Sequence, residues 1–410
     1  HWYHDINETT WLNEGGSVLA EQLNDFDDGG MGASFLADPD LQLTTWGEGD
    51  NYPHYGAAYL FMSYFLDRFG EAATQQLVAD EENGMKSVDT VLGGLGQTGP
   101  EGQPLTHLDV FADWVVANYL NDPSIEGGRF GYVSNTGIRA DEANDRIREC
   151  AGHDESTSVA QFGTDYWLLD CPGSYALTFQ GASTARVLPV ELIDGGHAVW
   201  ANRVDESVTL MTAEFDLSSV SDATLTYDAW WSIEADYDYA YVEISADGGD
   251  TWELLRTPLM TDSNPSGQNF GWAYTDESGG WKNEQIDLSA YSGKTVFIRF
   301  EYITDAAVNR PGFLVDNIAI PEIGYSEDFE AGTGIWELIG MARIDNLLPQ
   351  RYLVQIVRQS DAGALVERLP IADGLGGFDL EIGAGEIVTL VVSGITPYTT
   401  EPAAYRFELR

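Results

Sequence analysis

The sequence predicts a multidomain α + β chain. Helices fill the first third, an antiparallel β-sandwich the middle, and a small all-β module the end. Three observations carry this. Up to about residue 122, apolar residues recur at three- to four-residue spacing. From about 176, apolar and polar residues alternate in short runs divided by turn signals. The 410 residues, with 12 Trp and 20 Tyr, are enough for several buried cores. The expected divisions are a helical region over 1–122, a connector over 123–175, a sandwich over 176–322 and a C-terminal β module over 323–410.

Charge narrows the function. There are 67 acidic and 19 basic residues, for a net charge of −48. Lysine appears only at Lys86, Lys282 and Lys294. Nucleic acid and anionic membranes need basic patches, so neither is expected as a partner. No run of about 18 apolar residues exists, so no membrane span is expected. The acidity fits a salt-adapted surface, with one or two oxygen-rich cation sites beside it. Cys150 and Cys171 lie in a loop-like stretch. In an exported protein they would pair and close a loop worth roughly 3 kcal/mol; otherwise they are two free thiols.

The helical region starts at Thr9 or Thr10, either of which can cap a helix carrying Trp11, Val18, Leu19 and Leu23 on one stripe. Glu14 sits in its first turns, followed by Gly15 and Gly16. Glycine inside a helix costs roughly 1 kcal/mol relative to alanine, so the pair implies a close neighbour on that face. Asp25 to Gly30 reads as a plain acidic loop. Pro53 opens a helix to Phe69 that is apolar almost all round and stops at Gly70. Helices near 71–79 and 87–94 follow, then one from Thr106 to about Leu120 with a Thr106/Asp109 capping box.

The β region holds strands at 223–231, 239–245 and 294–302. Ser245-Ala246-Asp247-Gly248-Gly249-Asp250-Thr251-Trp252 matches an S-x-D-x-G-x-T-W hairpin, a structural motif to which no catalysis is assigned.

Trp11-Leu12-Asn13-Glu14-Gly15 resembles the segment in which gluzincin metallopeptidases present their third zinc ligand, a glutamate. That resemblance makes Glu14 a zinc ligand and 1–122 the helical C-terminal half of a zincin catalytic domain. The family's first two ligands are histidines of an H-E-x-x-H helix, and no H-E-x-x-H occurs in this sequence. His1 and His4 are three apart and cannot replace it. The sequence is therefore expected to start just after the motif, as a truncated or processed fragment. An N-terminal fragment of the same protein becomes an expected partner. His54 and Tyr55, at the start of a buried helix, are the candidates for stabilising an oxyanion. The bland alternative for them is a helix-end histidine and a core tyrosine.

A second resemblance lies in the β region. Trp200 to Glu206, Glu214 to Leu217, Asp236 to Glu243, Gly280 to Glu284 and Phe313 to Ile318 follow the MAM-like jelly roll of immune inhibitor A. Such jelly rolls commonly hold a structural calcium. By that resemblance Asp205, Glu206 and Asp316 are candidate Ca²⁺ ligands, with Asp236 and Asp238 as second choices. The alternative is that these carboxylates cap turns and pair with Arg203. Tyr325 to Glu330 resembles an edge strand that completes the sandwich.

The expected function is the C-terminal portion of a secreted zinc metallopeptidase acting on extracellular proteins or peptides, inactive without H-E-x-x-H. The alternative is a non-catalytic extracellular binding, adhesive or assembly protein built on the β-domains. A glycosidase ranks last, because abundant acids without a motif specify no carboxylate pair.

Overall fold

A computed structural model describes the chain except residues 1–7, 47–48, 100–101, 141–144, 194–195, 307, 309 and 361–362. His1 and His4 lie outside the described residues. The chain forms two compact units, one of residues 1–187 with 348–410 and one of residues 188–347.

Among its described residues the first unit has six α-helices: α1 (Thr10–Leu23), α2 (Met31–Ala37), α3 (Tyr52–Phe69), α4 (Glu71–Val78), α5 (Met85–Gly94) and α6 (His107–Leu120). Five of the six follow the expected spacing. The short α2 was not expected, because seven residues hold too few periods to show one. Thr9 stands at the N-cap of α1, but its hydroxyl donates to Glu8 instead of capping. The capping box of α6 forms, with the Asp109 carboxylate accepting from the Thr106 N–H at 3.0 Å and hydroxyl at 2.8 Å. In the acidic loop, Asp27 and Asp28 accept N–H bonds from Gly29, Gly30 and Gly32.

Glycine sets how closely these helices approach. A Cβ on Gly15 would stand 2.6 Å from the Ala58 carbonyl oxygen, and one on Gly56 only 2.0 Å from that of Met31. The close neighbour implied by the Gly15-Gly16 pair is therefore α3.

Two sheets lie behind the helices. The first runs in the order Asp145–Ile147, Asp165–Leu169, Ile387–Gly394, Tyr352–Ser360, Gly363–Leu369. Its central strands are buried on both faces. Tyr166, Val357 and Val391 join the helical core. Trp167, Leu169, Val354, Ile356, Leu390 and Val392 join a second core against the other sheet. That sheet runs His153–Val159, Ala403–Leu409, Gly173–Gly181, Leu375–Ile382.

The expected connector over 123–175 and the expected separate module over 323–410 thus differ from what forms. Two strands of the first, and a third that straddles its end at Gly173–Gly181, pair with strands of the second, so 348–410 completes the first unit. The physical reason is nonlocal pairing: polar His153–Val159 has a ladder partner only because Ala403–Leu409 returns to it. Cys150 and Cys171 form a disulfide. They follow the parallel neighbours Asp145–Ile147 and Asp165–Leu169, which brings the two cysteines side by side.

The second unit is a β-sandwich. One sheet runs Glu253–Leu254, Tyr239–Ser245, Thr295–Ile303, Val208–Asp216, Glu337–Ile339. The other runs Lys282–Asp287, Thr224–Ser232, Gly312–Ile320, Ala198–Trp200, Ala342–Ile344, with Tyr325–Glu327 also paired to Gly312–Ile320. Inward residues such as Met211, Tyr227, Val242, Phe300 and Val315 fill the core between them. The Ser245–Trp252 hairpin is tied by Asp247, which accepts from the Ser245 hydroxyl at 2.7 Å and the Thr251 N–H at 3.0 Å.

The glycine contact gives a paired test. Gly15→Ala should lower unfolding stability by about 1–2 kcal/mol, overpacking exceeding the gain in helix propensity. Gly93→Ala in α5, where nothing lies within 4 Å, should be neutral or stabilising. Urea unfolding followed by circular dichroism separates the two.

Candidate functional site

Two places gather chemically capable groups, one in each unit. In the helical layer, Glu14 is half-buried on α1, and burial pushes its carboxyl up from the ordinary value. It makes no hydrogen bond or ion pair with another described residue. Tyr55 is near it: the phenol is pushed up by burial first and by the Glu14 charge second. Trp46 stands edge-on to Tyr55 with ring centres 4.7 Å apart, and 5.9 Å from His54. Burial lowers the His54 imidazole below its ordinary value, and its Nδ1 is buried without a hydrogen-bond partner among the described residues. Glu14, His54, Tyr55 and Trp46 are thus gathered where α1 and the start of α3 meet.

These groups do not make a zinc set on their own. Among the described residues no histidine joins Glu14 in a group able to hold a metal. A tetrahedral zinc site needs three protein ligands even when one position stays open.

In the sandwich, Glu234, Asp238 and Asp305 each bring a carboxylate oxygen within 4.8 Å of the others, the one metal-capable group among the described residues. Each comes from a strand end: Glu234 follows Thr224–Ser232, Asp238 precedes Tyr239–Ser245, and Asp305 follows Thr295–Ile303. Asp238 is 1% exposed. Its Oδ1 accepts the Asp305 N–H at 2.8 Å and its Oδ2 the Tyr302 hydroxyl at 3.3 Å. Burial above all, then the charges of Asp305 and Asp205, push Asp238 up to about 7. The Glu206 N–H donates to the Asp305 carbonyl, which draws the 205–206 loop to the same place.

The candidate calcium ligands therefore separate. Asp238 joins Glu234 and Asp305, while Asp205 and Glu206 lie on the loop beside them, Asp205 near enough for its charge to act on Asp238 and Glu206 tied by its backbone N–H. Asp236 does not join them through its carboxylate. It takes a left-handed backbone (φ 68°), with its N–H on Thr275 and its carbonyl accepting from Ser266. Asp316 belongs to a second acidic group. It lies opposite Asp228 on the neighbouring strand, is 2% exposed, and accepts the Asn317 N–H at 2.7 Å. Burial first, then Asp228, Glu330 and Asp328, push it up to about 7. The anticipated pairing with Arg203 does not form with any described carboxylate; burial lowers that guanidinium instead. Sequence reasoning missed Glu234 and Asp305. The signal available was position, since both follow directly on strands that end at one edge.

The second acidic group yields a pH test. Because the folded-state value of Asp316 is raised, its proton favours the folded state. That contribution is complete below about pH 4 and is lost as pH rises through about 7. Asp316→Asn should therefore gain about 2 kcal/mol over the parent at pH 8 in EDTA and nothing at pH 4. Thermal melts at the two pH values read the difference.

Comparison with known proteins bears on residues 173–346. The family model described as Immune inhibitor A-like, MAM domain, matches residues 173–346. The pre-pro-metalloprotease PrtV of Vibrio cholerae is 32% identical over 135 residues, 33% of this chain and 14% of that protein. Immune inhibitor A of Bacillus thuringiensis subsp. alesti is 31% identical over 126 residues, 30% of this chain and 17% of that protein. Bacillopeptidase F of Bacillus subtilis is 26% identical over 98 residues, 24% of this chain and 6% of that protein. The matched stretch thus spans less than a fifth of each relative. The chain carries an immune inhibitor A-like MAM domain, as part of a region related to immune inhibitor A-like proteases.

Proposed function

We propose that the chain is part of a secreted zinc metallopeptidase that hydrolyses peptide bonds of extracellular proteins. The observation that carries this reading is Glu14: a half-buried carboxylate without a partner among the described residues, on a helix held against α3 by Gly15. A carboxylate in that condition suits a metal ligand. The other ligands would be histidines of an H-E-x-x-H helix, which this sequence does not contain. Zinc held there would supply Lewis-acid polarisation of a peptide carbonyl. Tyr55, kept protonated by burial and by Glu14, is the hydrogen-bond donor we assign to the developing oxyanion. His54 stays neutral beside it. The disulfide fits an oxidising compartment.

We further propose a structural calcium at Glu234, Asp238 and Asp305, with the 205–206 loop beside them. Three converging carboxylates are a hard-cation ligand set, and a divalent ion would offset the burial and the like charges that push Asp238 up to about 7. A second reading is a non-catalytic extracellular binding or assembly protein. The absence of a histidine partner for Glu14 among the described residues favours it.

Elemental mass spectrometry, with intact mass, tests both. Protein expressed from its full source gene should carry about one zinc per molecule, and Glu14→Gln should remove most of it. Calcium should raise the melting temperature of the parent, with about 2.7 kcal/mol expected at a hundredfold excess over Kd, and Asp238→Asn should abolish the rise. Zinc retained by Glu14→Gln would overturn the first assignment. A calcium response surviving Asp238→Asn would overturn the second.

A further inference from the structure

We propose that one end of the outer face of the Tyr239–Ser245 sheet is a docking surface for an extended peptide bearing aliphatic side chains next to basic ones. The register defines the face. Along each strand alternate residues point inward, where Met211, Val242 and Phe300 fill the sandwich core. The others point outward in rows. One row sets Val208 beside Ile303, and the next sets Ile339, Leu210 and Glu301 side by side. The third carries Glu337, Thr212, Arg299 and Glu243.

Toward the Glu337–Ile339 edge the first two rows are apolar and open, whereas their far ends, Tyr239 and Tyr241, are buried. Val208 and Ile339 are each 54% exposed, and Leu210 and Ile303 are half-buried beside them. An outward face of an antiparallel sheet is normally polar. On a chain of net charge −48, an aliphatic patch of this kind marks an interaction surface.

The adjoining rows fix the partner's chemistry. Glu301, at the inner end of the second row, and Glu243 in the third are largely buried and bound to Arg299, while Glu337 in the third row and Glu214 one row on are exposed. The Arg299 guanidinium is already engaged. Its Nε donates to Glu243 at 2.7 Å, it contacts Glu301 at 3.1 Å, and it stacks 4.1 Å above Trp252. The carboxylates therefore outnumber the charge available within the face, and the complement is basic. Rows two residues apart repeat at about 6.8 Å, the two-residue repeat of an extended peptide. A segment with aliphatic residues at i and i+2 and Lys or Arg at i+4 would match the three rows in order. The surface stands whether or not the chain is part of a peptidase.

The test uses the whole chain and a labelled Val-Ser-Val-Ser-Lys-Ser-Lys peptide, read by fluorescence anisotropy at about 150 mM salt, where long-range attraction is screened. This peptide should bind at least about tenfold tighter than Ser-Ser-Ser-Ser-Lys-Ser-Lys, which has the same charge. The double variant Val208→Ser with Ile339→Ser should remove that preference. Leu259→Ser, at an exposed aliphatic elsewhere in the same unit, should leave it unchanged. If the double variant melts lower than the parent, Ile339→Ser alone, on an edge strand, should show a smaller loss of the same preference. Equal binding of the two peptides, or a preference that survives both the double and the single variant, would overturn the proposal.

Discussion

The first unit depends on a sheet buried on both faces. The strands Asp165–Leu169, Ile387–Gly394 and Tyr352–Ser360 separate two apolar cores, one under the helices and one under the outer sheet. A strand in that position can spare no polar group without a partner. Its hydrogen bonds to α6 meet most of this requirement, although the buried Gln355 Oε1 has no partner among the described residues. The Tyr166 hydroxyl donates to the Val115 carbonyl at 2.6 Å, Gln355 to the Ala112 carbonyl at 3.0 Å, and Thr389 to the Tyr119 hydroxyl at 2.7 Å. Arg368 adds ion pairs to Asp109 and Asp113. The C-terminal strands thus hold α6, and the helical core that α6 shares with α1 and α3 holds Glu14 and Tyr55 where they meet.

In the sandwich the governing constraint is the burial of like charges. Asp238 and Asp316 are both almost fully enclosed, both sit among other carboxylates, and both are pushed up to about 7. Their surroundings differ in what they can do. Around Asp238 three strand ends bring oxygens from two loops to one point, a geometry suited to a cation. Around Asp316 the Asn317 side chain donates to Asp228 and the backbone bulges between Asp316 and Ala319, so the group is satisfied locally.

Much of this was legible in the sequence, and what was not has one cause. Helical spacing placed α1 and α3 to α6, and Gly15 announced the close approach of α3 that the carbonyl of Ala58 makes. Alternation placed the sandwich strands at Thr224–Ser232, Tyr239–Ser245 and Thr295–Ile303. What escaped was pairing across long separations. His153–Val159 is polar along most of its length, and nothing within it shows that Ala403–Leu409, some 250 residues on, completes its ladder. The calcium candidates split for the same reason. Asp205 and Asp238 were identifiable by resemblance, but Glu234 and Asp305 become neighbours only when the strands they follow lie in register.

The dependence of the helices on the C-terminal strands is measured most directly by native-state hydrogen exchange on the intact chain. Amides of α6, Tyr352–Ser360 and Ile387–Gly394 should share one opening free energy and one denaturant dependence, distinct from those of Thr224–Ser232 and Thr295–Ile303. Strands of residues 352–394 that open together while α3 and α6 stay protected would contradict the account, because the C-terminal segment would then be a module of its own.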